Sequence, residues 1–294
     1  MTWTPQDFKF LHPLRVRWSE VDMQKIVFNA HYLTYLDTAM AAYWRALALP
    51  YSDTMESLGG DLFVKKATLE YHAPALYDEG LQVALRLQSI GTSSLRFDGA
   101  VFREGVLLTS AELIYVFADP QSRTSLPVPL ALKSALSAWE SGAPAVNTTL
   151  GDWQTHKDCI TPLRHAVFAK EQGIAADLVC DAADESAVHV MVCNGLGRAV
   201  SSGRLLVHAP GTGRIGRMVT DKALRGQGLA RTVLHALMEA SRQRGDSAIV
   251  LHAQASAVGF YLKEGFKPVG PEFVEAGIAH QEMELRWALT NVKS

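Results

Sequence analysis

The chain has 294 residues and a mass of 32.1 kDa, with 48% apolar and 20% charged residues. That balance excludes a disordered chain and leaves room for two domains. The formal charge is −2 at pH 7, with 12 basic against 15 acidic residues up to position 145 and 16 against 15 beyond it. Such a distribution excludes a broad polyanion-binding surface and still permits a local phosphate site. Cys159, Cys180 and Cys193 all lie in the second half. Their odd number makes no disulfide framework and their spacing fits no metal site, so no metal is expected and the expected compartment is the reducing cytoplasm. Met1 to Asp7 lacks the basic-then-apolar pattern of a signal peptide, and no apolar run approaches the ~18 residues of a membrane span. Neither a membrane nor a nucleic acid is an expected partner.

In chain order, Leu14, Val16 and Trp18 alternate as a short strand. Leu33, Leu36, Met40, Tyr43, Trp44 and Leu47 then recur at the three-four spacing of one buried helix face, with Asn29 as N-cap and Pro50 as the stop. Everything after that reads as strand: 62–71, 81–87, 95–103 and 106–118, joined by short turns that suit antiparallel neighbours. A long helix against such a run predicts an α+β layer with the sheet wrapped around the helix.

Ser141 to Leu150 is rich in small residues, holds Pro144 and carries no charge, which reads as a linker. The expected division is a first domain over 1–140, a linker over 141–155 and a second domain over 156–294. Beyond the linker a strand at 214–220 leads through a glycine-containing turn into a helix carrying Leu229, Val233, Leu237 and Ala240, closed by Gly245. A strand at 248–253, a short helix at 256–264 closed by Gly265 and a strand near 283–287 follow. This alternation reads as an α/β layer.

In the first half the informative segment is Arg17 to Tyr32, between the first strand and the long helix. It sets the carboxylate of Asp22 a few residues ahead of a helix N-terminus, whose unpaired N–H groups suit a developing oxyanion. A carboxylate base or nucleophile beside such donors can hydrolyse an activated acyl group. Equally, Asp22 can be a turn residue and Asn29 only a cap.

Resemblance adds to this. Asp22-x-x-x-Ile-Val-Phe-Asn-x-x-Tyr32, Leu69-Glu-Tyr-His-Ala-Pro-Ala-Leu-Tyr-Asp78 and Thr92-Ser-Ser-Leu-Arg-Phe97 resemble the hot-dog thioesterases of the 4-hydroxybenzoyl-CoA thioesterase type over most of residues 10–135. The resemblance implies a catalytic Asp22, helix N–H groups that polarise the thioester carbonyl, a role for Asn29 where relatives carry His or Asn, and a site built across a homodimer. It departs at Lys25, where the family usually has a glycine in the turn. His31 faces the site or solvent, and one of Lys65 and Lys66 could reach a CoA phosphate, since neighbours on a strand point opposite ways.

In the second half Arg225-Gly-Gln-Gly-Leu-Ala230 lies between a strand and a helix, where loop N–H groups can cradle a pyrophosphate. It lacks the Lys-Ser/Thr pair of a Walker loop and does not fit Gly-x-Gly-x-x-Gly. With Ile215-Gly-Arg-Met-Val-Thr220 before it and Ala257-Val-Gly-Phe-Tyr261-Leu-Lys-Glu-Gly-Phe266 after it, the segment resembles the GNAT N-acetyltransferases over roughly residues 158–288. Arg164 to Ile174 and Ala276 to Met283 are similar to one small subgroup. The resemblance implies that Arg225, Gly226, Gln227, Gly228, Leu229 and Ala230 hold the acetyl-CoA pyrophosphate. It implies too that the backbone of Met218 and Val219 pairs with the pantetheine arm and that Tyr261 protonates the departing thiolate. Acetyl transfer needs a neutral amine, so a base must accept a proton. Glu171 and His280 are the candidates, while Gln254 could bond either ligand or backbone.

The sequence therefore predicts a fusion of an acyl-CoA thioesterase with an acetyl-CoA-dependent N-acetyltransferase. Its expected partners are acyl-CoA, an amine acceptor and a second copy of the chain. The alternative is an N-acetyltransferase carrying a non-catalytic hot-dog module for dimerisation or acyl-CoA sensing.

Overall fold

The protein is described here by a computed structural model covering residues 3–287. Its chain divides into two compact units, 1–146 and 147–294.

In the first unit, β1 (Phe10–Arg15) leads into helix α1 (His31–Ala46) and a second helix, α2 (Tyr51–Leu58). Strands β2 (Asp61–Tyr71), β3 (Gly80–Ile90), β4 (Ser94–Arg103) and β5 (Val106–Ala118) follow, then helix α3 (Leu130–Glu140). The five strands form an antiparallel sheet in the order β1-β3-β4-β5-β2. Tyr32, Tyr35, Leu36, Ala39, Met40, Tyr43 and Trp44 make the buried face of α1. A Cβ at Gly99 would lie 2.7 Å from Cδ2 of Leu36, so the missing side chain on β4 is what lets the helix come so close.

Several expectations differ here. Leu33 falls outside the buried face and is 43% exposed, because the face runs through 32, 35, 36, 39, 40 and 43. Asn29 does not cap α1: Ala30 holds that position, with no side-chain cap. Trp18 lies in a 3-10 turn rather than on β1. Pro50 does end the first helix, but it also stands at the N-cap of α2, so the chain does not go directly to strand.

The second unit comprises β6 (Val146–Gly151), α4 (Trp153–Arg164), β7 (Val188–Asn194), β8 (Ala199–Ala209), β9 (Thr212–Thr220), α5 (Leu229–Arg244), β10 (Ala248–Gln254), α6 (Val258–Lys263), β11 (Lys267–Glu275) and β12 (Ile278–Arg286). The sheet order is β11-β12-β10-β9-β8-β7-β6. Residues 141–155, expected as a linker, thus hold an edge strand and the start of a helix. Val146, Thr148, Thr149 and Leu150 favour strand, and Asp152 caps α4 by accepting the Thr155 N–H at 2.8 Å. Helix α4 continues into a π-helical stretch, His165–Glu171.

Two features of this sheet matter for function. Strands β9 and β10 pair in parallel only as far as Ile215 and Leu251, although they run on to Thr220 and Gln254. They part there. On the other side of β9 the register with β8 shifts between Ser202 and Arg204, which face Val219 and Gly216. The extra residue is a bulge, and Arg217 within it has a positive φ of 52°.

Leu36 is the point where α1 meets β4. Leu36→Ala is expected to destabilise the first unit by about 2–5 kcal/mol, the range for emptying a buried leucine site. Denaturant unfolding checks it, and a loss below about 1 kcal/mol would show that the contact does not carry the packing.

Candidate active sites

In the first unit, residues 21–27 fold back on themselves through an antiparallel bridge between Val21 and Val27. At the tip Asp22 accepts the Gln24 N–H on Oδ1 at 2.7 Å, and its backbone bonds Ile26 and Lys25. The Lys25 at the familial glycine position adopts φ 63°, the left-handed conformation that lysine resists. Asp22, Asn29, Tyr32, Tyr71 and His72 line one cleft of about 650 Å³.

The start of α1 supplies donors, though not those of its regular turns. His31, Tyr32 and Leu33 donate their N–H groups to Phe28, Asn29 and Ala30 in tight turns. Among the described residues, the N–H groups of Asn29 and Ala30 meet no acceptor in the chain. Asn29 therefore contributes a backbone donor beside its amide, while its carbonyl accepts the Tyr71 hydroxyl at 3.1 Å.

Glu20, which the sequence analysis passed over, fixes this segment from below. It is 1% exposed and accepts from the Arg17 N–H at 2.7 Å, the Arg17 Nε at 2.6 Å and the Tyr35 hydroxyl at 2.7 Å. Burial pushes its carboxyl up, but these donors together hold it below the ordinary glutamate value. Its three-residue spacing from Arg17 was the available signal. His31 packs edge-on against Phe28, and Lys66 pairs with Glu112 at 2.8 Å. A bulge at Lys65 breaks the alternation expected of the two lysines.

In the second unit the parting of β9 and β10 opens two clefts. One, of about 630 Å³, is lined by Val219, Arg225, Gly226, Gly228, Leu229 and Ala230. Gly226 and Gly228 have φ of 84° and 81°, and a Cβ on either would meet nothing within 4 Å. The first turn of α5 has no side-chain cap, so its N–H groups face open space. That is a fitting cradle for a pyrophosphate.

Arg225 and Glu171 face each other in this same cleft with two parallel bonds, 2.6 and 2.7 Å. The Arg225 hydrogen bonds hold the Glu171 carboxyl below its ordinary value, which makes it a poor proton acceptor. Its position in the cleft of the glycine loop separates it from His280.

The other cleft, of about 650 Å³, is lined by Arg204, Arg214, Arg217, His252, Glu275 and His280 among others. The two clefts share Gln172, Met218, Gln254, Ala257 and Tyr261. Tyr261 is 7% exposed, and burial pushes its hydroxyl up to about 12, so it stays protonated at neutral pH. Gln254 donates to the Gln172 side chain at 3.1 Å. His280 bonds the Ile278 carbonyl through Nδ1 at 2.8 Å, which makes Nδ1 the protonated nitrogen and leaves Nε2 as an acceptor. His252, Glu275 and Arg214 were not singled out in the sequence. The available signal was a histidine inside the apolar run 248–253.

With this geometry in hand, comparison with known proteins gives the class of each unit. Residues 16–136 match the thioesterase-like superfamily and residues 161–287 match the acetyltransferase (GNAT) domain. The acyl-CoA thioester hydrolase YbgC of Escherichia coli O6:H1 is 30% identical over 112 residues, 38% of this chain and 83% of that protein. The uncharacterized N-acetyltransferase YjcF of Bacillus subtilis strain 168 is 34% identical over 122 residues, 41% of this chain and 86% of that protein. The chain belongs to both families, with a thioesterase-like hot-dog domain followed by a GNAT domain. Both families use CoA thioesters. Among the described residues no helix is long and apolar enough to cross a membrane.

The left-handed Lys25 gives a simple expectation. Lys25→Gly relieves backbone strain at an exposed turn and should stabilise the first unit by up to about 1 kcal/mol. A fall in the unfolding midpoint would contradict the strain.

Proposed function

We propose that the chain is a bifunctional CoA-thioester enzyme, hydrolysing acyl-CoA in the first unit and transferring acetyl from acetyl-CoA to an amine in the second. The observation that carries the transferase reading is the meeting of two clefts at Tyr261, one bounded by a pyrophosphate cradle and the other by imidazoles. In this reading Arg225 and the N–H groups from Gly226 to Ala230 take the pyrophosphate. Glu171 holds Arg225 in place. Backbone groups of Met218 and Val219, left unpaired on the β10 side, meet the pantetheine arm. The Tyr261 hydroxyl gives its proton to the departing thiolate, and an imidazole such as His280 receives the proton of the amine.

The hydrolase reading rests on Asp22 and Asn29, which line one cleft, and on the free N–H groups of Asn29 and its neighbour Ala30. Asp22 serves as base toward water or as nucleophile, and the two donors stabilise the oxyanion. A homodimer completes the picture. Strand β2 lies at the sheet edge, has 11 residues, and is mostly exposed, with Val64 at 57% and Tyr71 at 51%. A long open edge of this kind pairs readily with a second copy. The three cysteines are free thiols, in keeping with a cytoplasmic setting.

Lys25 favours a second reading, in which the first unit only dimerises or senses acyl-CoA. Thiol release from acyl-CoA without any amine distinguishes them. Asp22→Asn, nearly isosteric, is expected to lower this hydrolysis by several orders of magnitude while the fold persists. Near-native hydrolysis by the folded variant, or none by the wild type over a panel of acyl chains, would favour the sensing module.

In the second unit, Gly228→Val is expected to raise KM for acetyl-CoA at least tenfold in amine acetylation, a change of about 1.4 kcal/mol. The added side chain both fills the open space and resists φ 81°. Tyr261→Phe should keep KM and lower kcat. Unchanged kinetics in a folded Gly228→Val protein would reduce the loop to a tight turn.

A further inference from the structure

The acceptor side of the second unit carries more information than its place in the transferase reading uses. His280 on β12 faces Gln254 of β10 on one side and Phe273 of β11 on the other, and His252, two residues before Gln254, and Glu275, two residues after Phe273, share that face. Phe273 sits between the two imidazoles, edge-on to His252 at 4.8 Å and stacked on His280 at 5.9 Å. His252 Nδ1 lies 2.8 Å from Glu275 Oε2. It also lies 3.0 Å from a guanidinium nitrogen of Arg214.

One nitrogen cannot serve both neighbours. A lone pair at Nδ1 would repel the carboxylate, so the consistent arrangement has Nδ1–H donating to Glu275 and Nε2 free to accept a proton. Arg214 is then left against a donor. Among the described residues it has no carboxylate within ion-pair distance, unlike Arg204 and Arg217, which Asp181 holds at 2.6 and 2.7 Å. Its guanidinium lines the cleft without an acceptor of its own.

Charge fixes the kind of acceptor that suits such a cleft. Its lining holds three arginines, Arg204, Arg214 and Arg217, and two carboxylates, Asp181 and Glu275. The buried pair behind it, Arg164 and Asp184, cancels. One positive charge remains over in the whole group, in which Arg204 also reaches Asp184, and Arg214 is the arginine that no carboxylate among the described residues holds. A polyamine would meet repulsion there, whereas a planar monoanion would find a forked donor.

Resting on the transferase reading above, we propose that the acceptor is a small primary amine carrying one carboxylate. Arg214 holds that carboxylate, and Nε2 of His252, oriented by Glu275, takes the ammonium proton. The neutral amine then attacks the thioester carbonyl: a C–N bond forms, the C–S bond breaks, and the thiolate takes a proton from Tyr261. The nitrogen's second proton leaves to solvent as Tyr261 is reprotonated. His252 is preferred to His280 because Glu275 is hydrogen-bonded to it and stabilises the imidazolium that forms, while the hydrogen bond of His280 goes to a backbone carbonyl.

The test measures acetylation by the full chain with radiolabelled acetyl-CoA and matched amines: β-alanine against ethylamine, lysine against cadaverine, and phosphoethanolamine as a phosphate-bearing arm. The carboxylate-bearing member of each pair should have at least tenfold higher kcat/KM. Arg214→Gln should remove that preference through KM, and Arg214→Lys should restore part of it. His252→Gln should lower kcat about 100-fold or more with KM for the amine kept, within the range for loss of a general base. Equal use of the paired amines, preference for phosphoethanolamine, or a preference that survives Arg214→Gln would overturn the proposal. So would failure to acetylate any of these amines by a protein whose Gly228→Val variant shows weakened acetyl-CoA binding, an outcome that leaves the transferase reading standing. Absence of any Gly228-dependent acetyl-CoA binding would bring down that reading itself.

Discussion

The interruption of one parallel strand pair governs the second unit. Backbone N–H and C=O groups inside a sheet must be paired, because leaving them dry and unmet is expensive. Where β9 leaves β10 after Ile215, the β10 side of Gly216 to Thr220 faces a cleft instead of a neighbouring strand, while the other side stays on β8. The bulge against β8 adds twist at the same place. The gap is therefore open to a ligand whose own amides can complete the ladder. The glycine loop lies at one end of the gap and the histidines at the other.

The first unit follows a related logic with different parts. Its helix is held against the sheet by a small residue at Gly99, and the turn before the helix is braced by the buried Glu20. That bracing leaves the N–H of Asn29 and one carboxylate oxygen of Asp22 free on the cleft wall, with the N–H of Ala30 free beside them. Left-handed strain at Lys25 is tolerated directly after Gln24, in a turn whose hydrogen bonds to Asp22 and Ile26 over-determine its shape.

Periodicity made α1, α5 and the strands β3 to β5 legible, because each buries one face over many residues. Helix α2 was hidden by Pro50, read as an ending when it is also a beginning, and α3 by its position after a run of strands. Strand β6 was hidden by small residues that serve linkers equally well. The glycine loop 225–230 and Asp22 could be placed because their neighbours in sequence are also their neighbours in space. Arg214, His252 and Glu275 come from three separate strands, and only the sheet register brings them together. Glu171 shows the converse: its residue type suited a base, but Arg225, 54 positions away, takes both its oxygens.

The shared wall of the two clefts bears on the order of events in turnover. Among the described residues no cysteine lines either cleft, so neither offers a thiol to carry the acetyl group as an enzyme thioester. On the transferase reading, donor and acceptor then meet directly across Met218 and Tyr261, which both clefts share. Steady-state lines at varied amine should then intersect rather than run parallel. Free CoA would compete with acetyl-CoA and not with the amine.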